Sequence, residues 1–409
     1  MDGEIKLRPL EHPLPAGMID LLPEDAATRR ALAQRILDRA ALFGYAPVAP
    51  PAFEFADVLE RGLGALDPAD VLRFVEPESG EVAALRPDMT PQIARMVATR
   101  LRGRPPPFRL ACEGTIVRRR GGRARTHRQI PQVGVELVGI AGLPGDLELL
   151  ELTADVLAAV GLREFTLDIG EAGVVRALLA GLAPEHQSRL SAALSQKDES
   201  AIGDACDKAC SAHAEELRAL PRLYGDRGVL VEGVERLSGT PAHAAASRLL
   251  ALFDAVTARG LPGARVVADL GEVRGFAYYT GAIFHAYAEG PGDPVVSGGR
   301  YDELLGRFGY PIEAAGFALD LDRVTEALNA ARVPRAAPLR VVVVGPGGGE
   351  RVSWLRARGV VAVAVEDGRE GLHWARAWGF THVADAVGWL EVVTGDRIAS
   401  PIEETRGSR

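Results

Sequence analysis

Asp88 and Thr90 close one strand-like run of this sequence, Gln132 and Glu136 stand four apart in a second, and Arg274, Tyr278 and Tyr279 fall in a third. A spacing of four along a strand puts Gln132 and Glu136 on one face, because strand side chains alternate with a period of two. If the three strands are neighbours, carboxylates for an ammonium or an imidazole face an arginine for a carboxylate, a combination that suits a zwitterionic amino acid. The same residues also fit a structural polar network, and spacing alone leaves both readings open. The third run, EVRGFAYYTGAIFHAY (272 to 287), is the least ordinary: an arginine, two adjacent tyrosines and a histidine interrupt what would otherwise pass for a buried strand.

Other groups invite chemistry less strongly. In VVVVGPGGGE a strand precedes Gly345, Gly347 and Gly349, and Glu366 follows the next strand, where a dinucleotide fold keeps its ribose-binding acid. The last glycine of that fingerprint belongs at position 350, which is Glu350, and a carboxylate at a helix start repels a pyrophosphate. A tight turn is expected there, and Trp354, Trp374, Trp378 and Trp389 are expected to serve a small core. The run RRRGGRARTHR, Arg118 to Arg128, is the best nucleic-acid candidate, but without interleaved aromatics it reads as a solvated hairpin tip, with phosphate or subunit docking as the alternative. Cys112, Cys206 and Cys210 are odd in number and sparse, so neither a disulfide framework nor a metal site is expected.

The elements that must position these residues follow from length and pattern. At 409 residues, 47% hydrophobic and 25% charged, the chain can build two or three domains with cores. No apolar run reaches the roughly 20 residues of a membrane span and no signal peptide is evident, so a cytoplasmic protein is expected. A net charge of -8 offers no basic field for a polyanion such as tRNA. Leu32, Ile36, Ala40 and Phe43 mark a helix that Gly44 ends. FVEPESGEVAALRPDMT reads as a hairpin ending at Leu85, residues 91 to 101 as a helix, and Phe108–Val117 with Gln132–Ile140 as a long hairpin around the basic run. Leu149, Leu152, Val156 and Val160 mark a second helix, and residues from about 171 to 260 read as a helical insertion throughout. Strands return at ARVVADLG, FAYYTGAIFHAYA and DPVVSGG, followed by a helix at RYDELLGRFG and a strand-to-helix passage at AAGFALDLDRV. The Pro/Ala-rich link ARVPRAAP then separates a body of residues 1 to 330 from a small α/β unit, 339 to 409. The expected class is α+β, with largely antiparallel strands flanked by helices.

In order, AGMIDLLPED, FGYAPVAPPAFE, LRPDMTPQIAR, QIPQVGVELVG, VRGFAYYTGAIF, SGGRYDELLGRFG and GFALDLDRV resemble the class II aminoacyl-tRNA synthetase fold, in its histidyl-tRNA synthetase branch. The likeness runs over nearly all of residues 10 to 330. It implies a dimer formed through the FGYAPVAPPAFE region and a histidine pocket. In that pocket Asp88, Thr90 and Gln132 would meet the amino group, and Glu136 and Tyr279 the imidazole. Tyr278 and Tyr301 would stand beside them, with Arg274 at the carboxylate or phosphate position.

Departures from the synthetase pattern redirect the function. The family's Gly-Leu-Asp-Tyr-Tyr has Ala277 at its acidic position, and the second motif keeps Arg118 but carries Arg120 where a glutamate belongs. Asp320 replaces the third motif's glycine, placing a negative charge toward the triphosphate, and Arg323 is retained as a structural residue. These four residues, Arg118, Arg120, Asp320 and Arg323, would form a vestigial nucleotide site. With Asp88-Met89 where synthetases tend to carry Glu-Gly, and a C-terminal unit shorter than an anticodon-binding domain, the chain resembles the family of regulatory subunits of ATP phosphoribosyltransferase. That resemblance implies a protein without catalytic residues, cofactor or metal, with histidine as ligand. It also implies a homodimer within a hetero-octamer, partnered by the short-form catalytic subunit of histidine biosynthesis. An active histidyl-tRNA synthetase and a free-standing histidine sensor are the alternatives.

Overall fold

Alternation along one strand organises the larger part of the molecule. In the computed structural model, which describes residues 14–63, 71–118, 127–273, 278–333, 338–346, 348–366 and 368–402, the chain divides into two units, Met1–Val333 and Pro334–Arg409. The first unit holds β1 (Ala46–Pro47), β2 (Phe53–Phe55), β3 (Arg73–Val75), β4 (Val82–Leu85), β5 (Phe108–Val117) and β6 (Gln129–Val138). It continues with β7 (Phe165–Glu171), β8 (Tyr224–Gly225), β9 (Ala264–Asp269), β10 (Ala282–Tyr287), β11 (Val296–Arg300) and β12 (Ala314–Asp320). Nine of these form a sheet in the order β1-β5-β6-β12-β11-β10-β7-β9-β8, antiparallel except at β1–β5 and β7–β9. Strands β2, β4 and β3 make a second, antiparallel sheet. The class is α+β, as the sequence indicates.

Along β6, Val133, Val135 and Leu137 point to one side and join the main core with helices Pro23–Leu42 and Gly142–Val160. Ile130, Gln132, Gly134, Glu136 and Val138 alternate to the other side, where Ile130 and Val138 pack with Met89, Ile93, Tyr278 and Tyr301. The site therefore faces a smaller core than the one that carries most of the buried apolar surface. Helix Gly142–Val160 buries Leu149, Leu152, Val156 and Val160 at the expected spacing and ends at Gly161, whose φ of 107° only glycine adopts without strain. Bidentate pairs Arg39–Asp155 and Arg109–Glu148 tie it to Pro23–Leu42 and to β5.

Several boundaries differ from the sequence reading. Strand β6 begins at Gln129, not Gln132, because its ladder with β5 continues to the pair Val117–Gln129. The stretch 171 to 260 is not helical throughout: Tyr224–Gly225 adds an edge strand to β9. RYDELLGRFG forms only a short 3-10 turn, Leu305–Phe308, stopped by Gly309 at φ 78°. Asp88 lies beyond the end of β4, and Thr90 opens helix Thr90–Thr99 instead of closing a strand. Tyr278 and Tyr279 precede β10 in a turn segment.

The second unit contains β13 (Arg340–Val344), β14 (Val361–Val365), β15 (His382–Ala384), β16 (Trp389–Glu391) and β17 (Arg397–Ile398), in the order β14-β13-β15-β16-β17. The last three strands were not foreseen; strands of two or three residues carry too few alternations to register. Gly345, at φ 105°, makes the turn after β13, Glu350 stands exposed in the first turn of helix Gly348–Arg356, and Gly347 lies outside the described residues. Trp389 is buried and Trp374 stacks near Phe380 at 5.1 Å, whereas Trp378 is exposed. Among the described residues no helix is long and apolar enough to cross a membrane.

Leu157 is fully buried where helix Gly142–Val160 meets the sheet. Leu157→Ala is expected to destabilise the first unit by about 3 kcal/mol in chemical denaturation followed by circular dichroism.

Candidate functional site

A cavity of about 410 Å³ opens on the β6 face that carries Gln132. Its lining includes Asp88, Thr90, Gln132, Tyr278, Tyr279 and Tyr301, and, toward its other end, Arg118, Asp320 and Arg323. The strands that supply these residues are not the neighbours that the sequence reading assumed: β12 and β11 separate β6 from β10, and Asp88 follows a strand of the other sheet. The residues still converge, because loops carry Asp88 and the tyrosines over the sheet.

Asp88 is held by two hydrogen bonds and by its neighbour in the chain. Its Oδ1 accepts the Thr90 backbone N–H at 3.1 Å, its Oδ2 accepts the Tyr278 hydroxyl at 3.0 Å, and Met89 between them is anchored in the core. Arg86, two residues earlier, donates to the carbonyls of Thr115, Pro50 and Pro51 and fixes the loop's approach. Glu136 sits behind Thr90 and Gly316, accepting from the Thr90 hydroxyl at 2.7 Å. Gly316 is required by this crowding, since a Cβ there would lie 2.3 Å from Glu136 Oε2 and 2.6 Å from the Tyr301 hydroxyl. Tyr278 stands edge-on to Tyr279 and Tyr301, with ring centroids 4.9 and 5.5 Å apart. Two adjacent residues of a strand would point to opposite faces; the turn before β10 is what lets both tyrosines line one cavity.

Burial dominates the electrostatics. It pushes the Asp88 carboxyl up, against the Thr90 hydrogen bond and the positive charge of Arg118, and it pushes Glu136 well above the usual carboxylate range, with the Asp88 charge adding to the effect. Burial and then the Asp88 charge also raise both Tyr278 and Tyr279. The Tyr301 hydroxyl is buried with no hydrogen-bond partner among the described residues. A site of carboxyls, amide and hydroxyls, walled by aromatic rings, is suited to a small cation with further N–H donors, and an α-ammonium group plus an imidazole meets that description.

The other end of the cavity is differently built. Asp320 caps helix Leu321–Ala330, accepting from the backbone N–H groups of Asp322 and Arg323 at 3.1 and 3.3 Å. Arg323 is tied to Asp293 at 2.6 Å, to the Pro294 carbonyl at 3.2 Å and to Asp320 at 3.4 Å. An arginine so committed is not available to a triphosphate without breaking these bonds. Arg118 donates to the Pro87 carbonyl at 3.2 Å. Arg120 and Arg274 lie outside the described residues. His285, the histidine that interrupts the apolar run in the sequence but was not assigned to the site, lines the cavity buried on β10 with Nδ1 3.1 Å from the Ser297 hydroxyl. Its position among apolar residues was the available signal. Near β10, Asp168, Asp269 and Glu272 bring carboxylate oxygens within 4.8 Å of one another, and the Lys197 ammonium supplies charge 2.7 Å from Asp269. Cys112 and Cys206 are buried and Cys210 exposed, all as free thiols.

Comparison with known proteins separates the two readings of this geometry. The histidyl-tRNA synthetase family model matches residues 17–324. A protein of Anaeromyxobacter sp. (strain Fw109-5) named ATP phosphoribosyltransferase regulatory subunit is 43% identical over 336 residues, 81% of this chain and 97% of that one. The chain belongs to the histidyl-tRNA synthetase-like family of ATP phosphoribosyltransferase regulatory subunits. A solved structure from Bacillus halodurans, described as an ATP phosphoribosyltransferase regulatory subunit/histidyl-tRNA synthetase, aligns at a TM-score of 0.78 and 28% identity over 92% of this chain and 98% of that one. Histidyl-tRNA synthetase from Nostoc sp. PCC 7120 reaches the same TM-score, 0.78, at 20% identity over 95% of this chain and 96% of that one, so the fold alone does not distinguish synthetase from regulatory subunit. Membership of the regulatory-subunit family does, and it favours that role over an active synthetase or a free-standing sensor.

Because the fold raises the Glu136 pKa, the folded state binds its proton more tightly than the unfolded chain does. This contribution to stability is fully present below the unfolded glutamate value and is lost as pH rises toward the folded one. Glu136→Gln removes the titration while keeping the shape. In thermal melts of the ligand-free chain the variant is expected to be the more stable, by a margin that grows from acid to neutral pH; a margin independent of pH would contradict the assignment.

Proposed function

We propose that this chain is the non-catalytic, histidine-responsive partner of a short-form ATP phosphoribosyltransferase catalytic subunit, the glycosyltransferase that condenses ATP with phosphoribosyl pyrophosphate. The reading rests on one observation: a single cavity has an amino-acid end furnished with Asp88, Thr90, Gln132 and three tyrosines, and a nucleotide end where Arg323 is bound by Asp293 and Asp320. A protein of this kind holds histidine without activating it. The assembly we propose is a homodimer within a cytoplasmic hetero-octamer, and the net charge of -8 gives no support for a tRNA partner.

Regulation then requires histidine to bind the inhibited assembly more tightly than the active one, since equal affinities shift nothing. The ligand's amino group would be received by Asp88, Thr90 and Gln132, its imidazole by Glu136 and Tyr279 with Tyr278 and Tyr301 packed around it, and its carboxylate by Arg274. No metal or cofactor is needed for such binding.

Co-expression with a short-form catalytic subunit tests this directly. Activity is expected only with both chains and is expected to fall on adding histidine. Glu136→Gln should keep the activation while weakening histidine inhibition by about 10- to 100-fold, because an amide cannot take up the negative charge that a cationic ligand would draw from Glu136. Unchanged inhibition in the variant would place the inhibitory histidine elsewhere, such as at the subunit interface. Pyrophosphate exchange with ATP by this chain alone would restore the synthetase reading.

A further inference from the structure

Arg300 lies outside the amino-acid cavity, yet its side chain is heavily bonded next to it. The residue is 4% exposed, and its guanidinium contacts Asp146 Oδ1 from Nε and Nη2 at 2.8 and 2.7 Å, Asp302 Oδ1 at 3.0 Å, and the carbonyls of Ile140 and Gly142 at 3.2 and 3.0 Å. These partners belong to two places: the first turn of helix Gly142–Val160 with the Ile140 carbonyl just before it, and the segment after Tyr301. The backbone of the same residue holds a third, because the Arg300 carbonyl accepts the Thr280 N–H at 2.7 Å, immediately after Tyr279. Asp302 closes the loop by receiving the Ala314 N–H at 3.1 Å on the oxygen that Arg300 binds, and by donating its own N–H to the Thr280 hydroxyl at 2.9 Å.

We infer that Arg300 is the positioning residue of the amino-acid cavity, setting Tyr279 and Tyr301 against each other: its side chain clamps residue 300 and the segment after Tyr301 to the start of helix Gly142–Val160, and its carbonyl, fixed by that clamp, holds the segment after Tyr279. The inference deepens the histidine-binding reading and rests on it for its affinity readout. A buried arginine with two carboxylates is a poor source of net stability, since desolvation offsets most of the attraction, and its five contacts instead define geometry. The geometry has little slack. A Cβ on Gly299 would meet the Tyr279 ring at 2.8 Å, and one on Gly281 would meet Arg300 Cδ at 3.0 Å, so both tyrosine-bearing segments already touch at contact distance. Arg300 acts on the ligand only through those rings.

A second cavity, of about 300 Å³, lies against the guanidinium and is lined by Asp146, Glu171, Arg248, Thr280 and Asp302. It gives a small cation access to the position that a truncated side chain leaves empty, which permits chemical rescue. The experiment uses the full chain labelled with fluorotyrosine, with the Tyr279 and Tyr301 resonances assigned from Tyr279→Phe and Tyr301→Phe, and needs no ligand for its first readout. In Arg300→Ala both fluorine resonances are expected to move, histidine affinity to fall by about 10- to 100-fold as a displaced contact does, and millimolar methylguanidinium to restore both. Arg109→Met is the control: it breaks the bidentate pair to Glu148 on the same helix, a pair that touches Tyr45 and lines neither cavity, and should leave the Tyr279 and Tyr301 resonances in place. If Arg300→Ala does not fold, Arg300→Lys carries the test, with the expected shift smaller but in the same two signals. Unmoved Tyr279 and Tyr301 resonances, or the same movement in the Arg109 control, would overturn the inference. Absence of histidine binding by the wild-type chain would instead count against the histidine reading, leaving the resonance test of Arg300 intact.

Discussion

Taking Asp88 and Glu136 out of water is the constraint on which the rest of the site depends. Two carboxyls on one side of a sheet cost free energy unless hydrogen bonds or a cation receive them. The chain supplies the hydrogen bonds incompletely: Thr90 serves both groups, through its N–H and its hydroxyl, and Tyr278 serves Asp88. What it withholds is a full complement of positive charge beside Glu136, whose raised pKa records the deficit. That deficit is what the cationic ligand proposed above would relieve, at the expense of stability that the empty fold gives up.

The remainder of the first unit can be read as the support this arrangement needs. Strand β6 divides its side chains between two tasks, with Val133, Val135 and Leu137 committed to the large core, Gln132 lining the cavity and Glu136 holding Thr90 from behind its wall. Because the apolar half is fully buried, the register of β6 cannot slip by one residue without exposing it, and the polar half is fixed by the same constraint. Gly316 on β12 then permits the close approach of Glu136 and Tyr301 that any side chain would prevent.

What the sequence made legible follows the same division. The spacing of Gln132 and Glu136 carried their shared face, and helix Gly142–Val160 was readable from Leu149, Leu152, Val156 and Val160, because both depend on short-range periodicity. The convergence of Asp88, Gln132 and Tyr279 came from the family resemblance, since no local rule brings a loop after β4 over β6. Tyr278 and Tyr279 were misplaced on a strand because aromatic residues favour strands, while the turn that presents both lies in tertiary context. Asp293 was invisible: nothing in its surroundings announces a partner 30 residues away at Arg323. The short strands β15 to β17 and the 3-10 turn at Leu305–Phe308 were lost for want of length.

The tie between Arg323 and two separate carboxylates has an evolutionary consequence. Restoring glycine at position 320 would remove one partner and a helix cap, for which glycine is a tolerable replacement at a few tenths of a kcal/mol, but Arg323 would remain bound to Asp293. Loss of Asp293 alone would leave Asp320 in place. Neither step by itself frees the arginine, so selection for nucleotide binding would have no intermediate to favour. A return to nucleotide binding is in this respect latched, and the latch consists of one side chain held by two separate carboxylates.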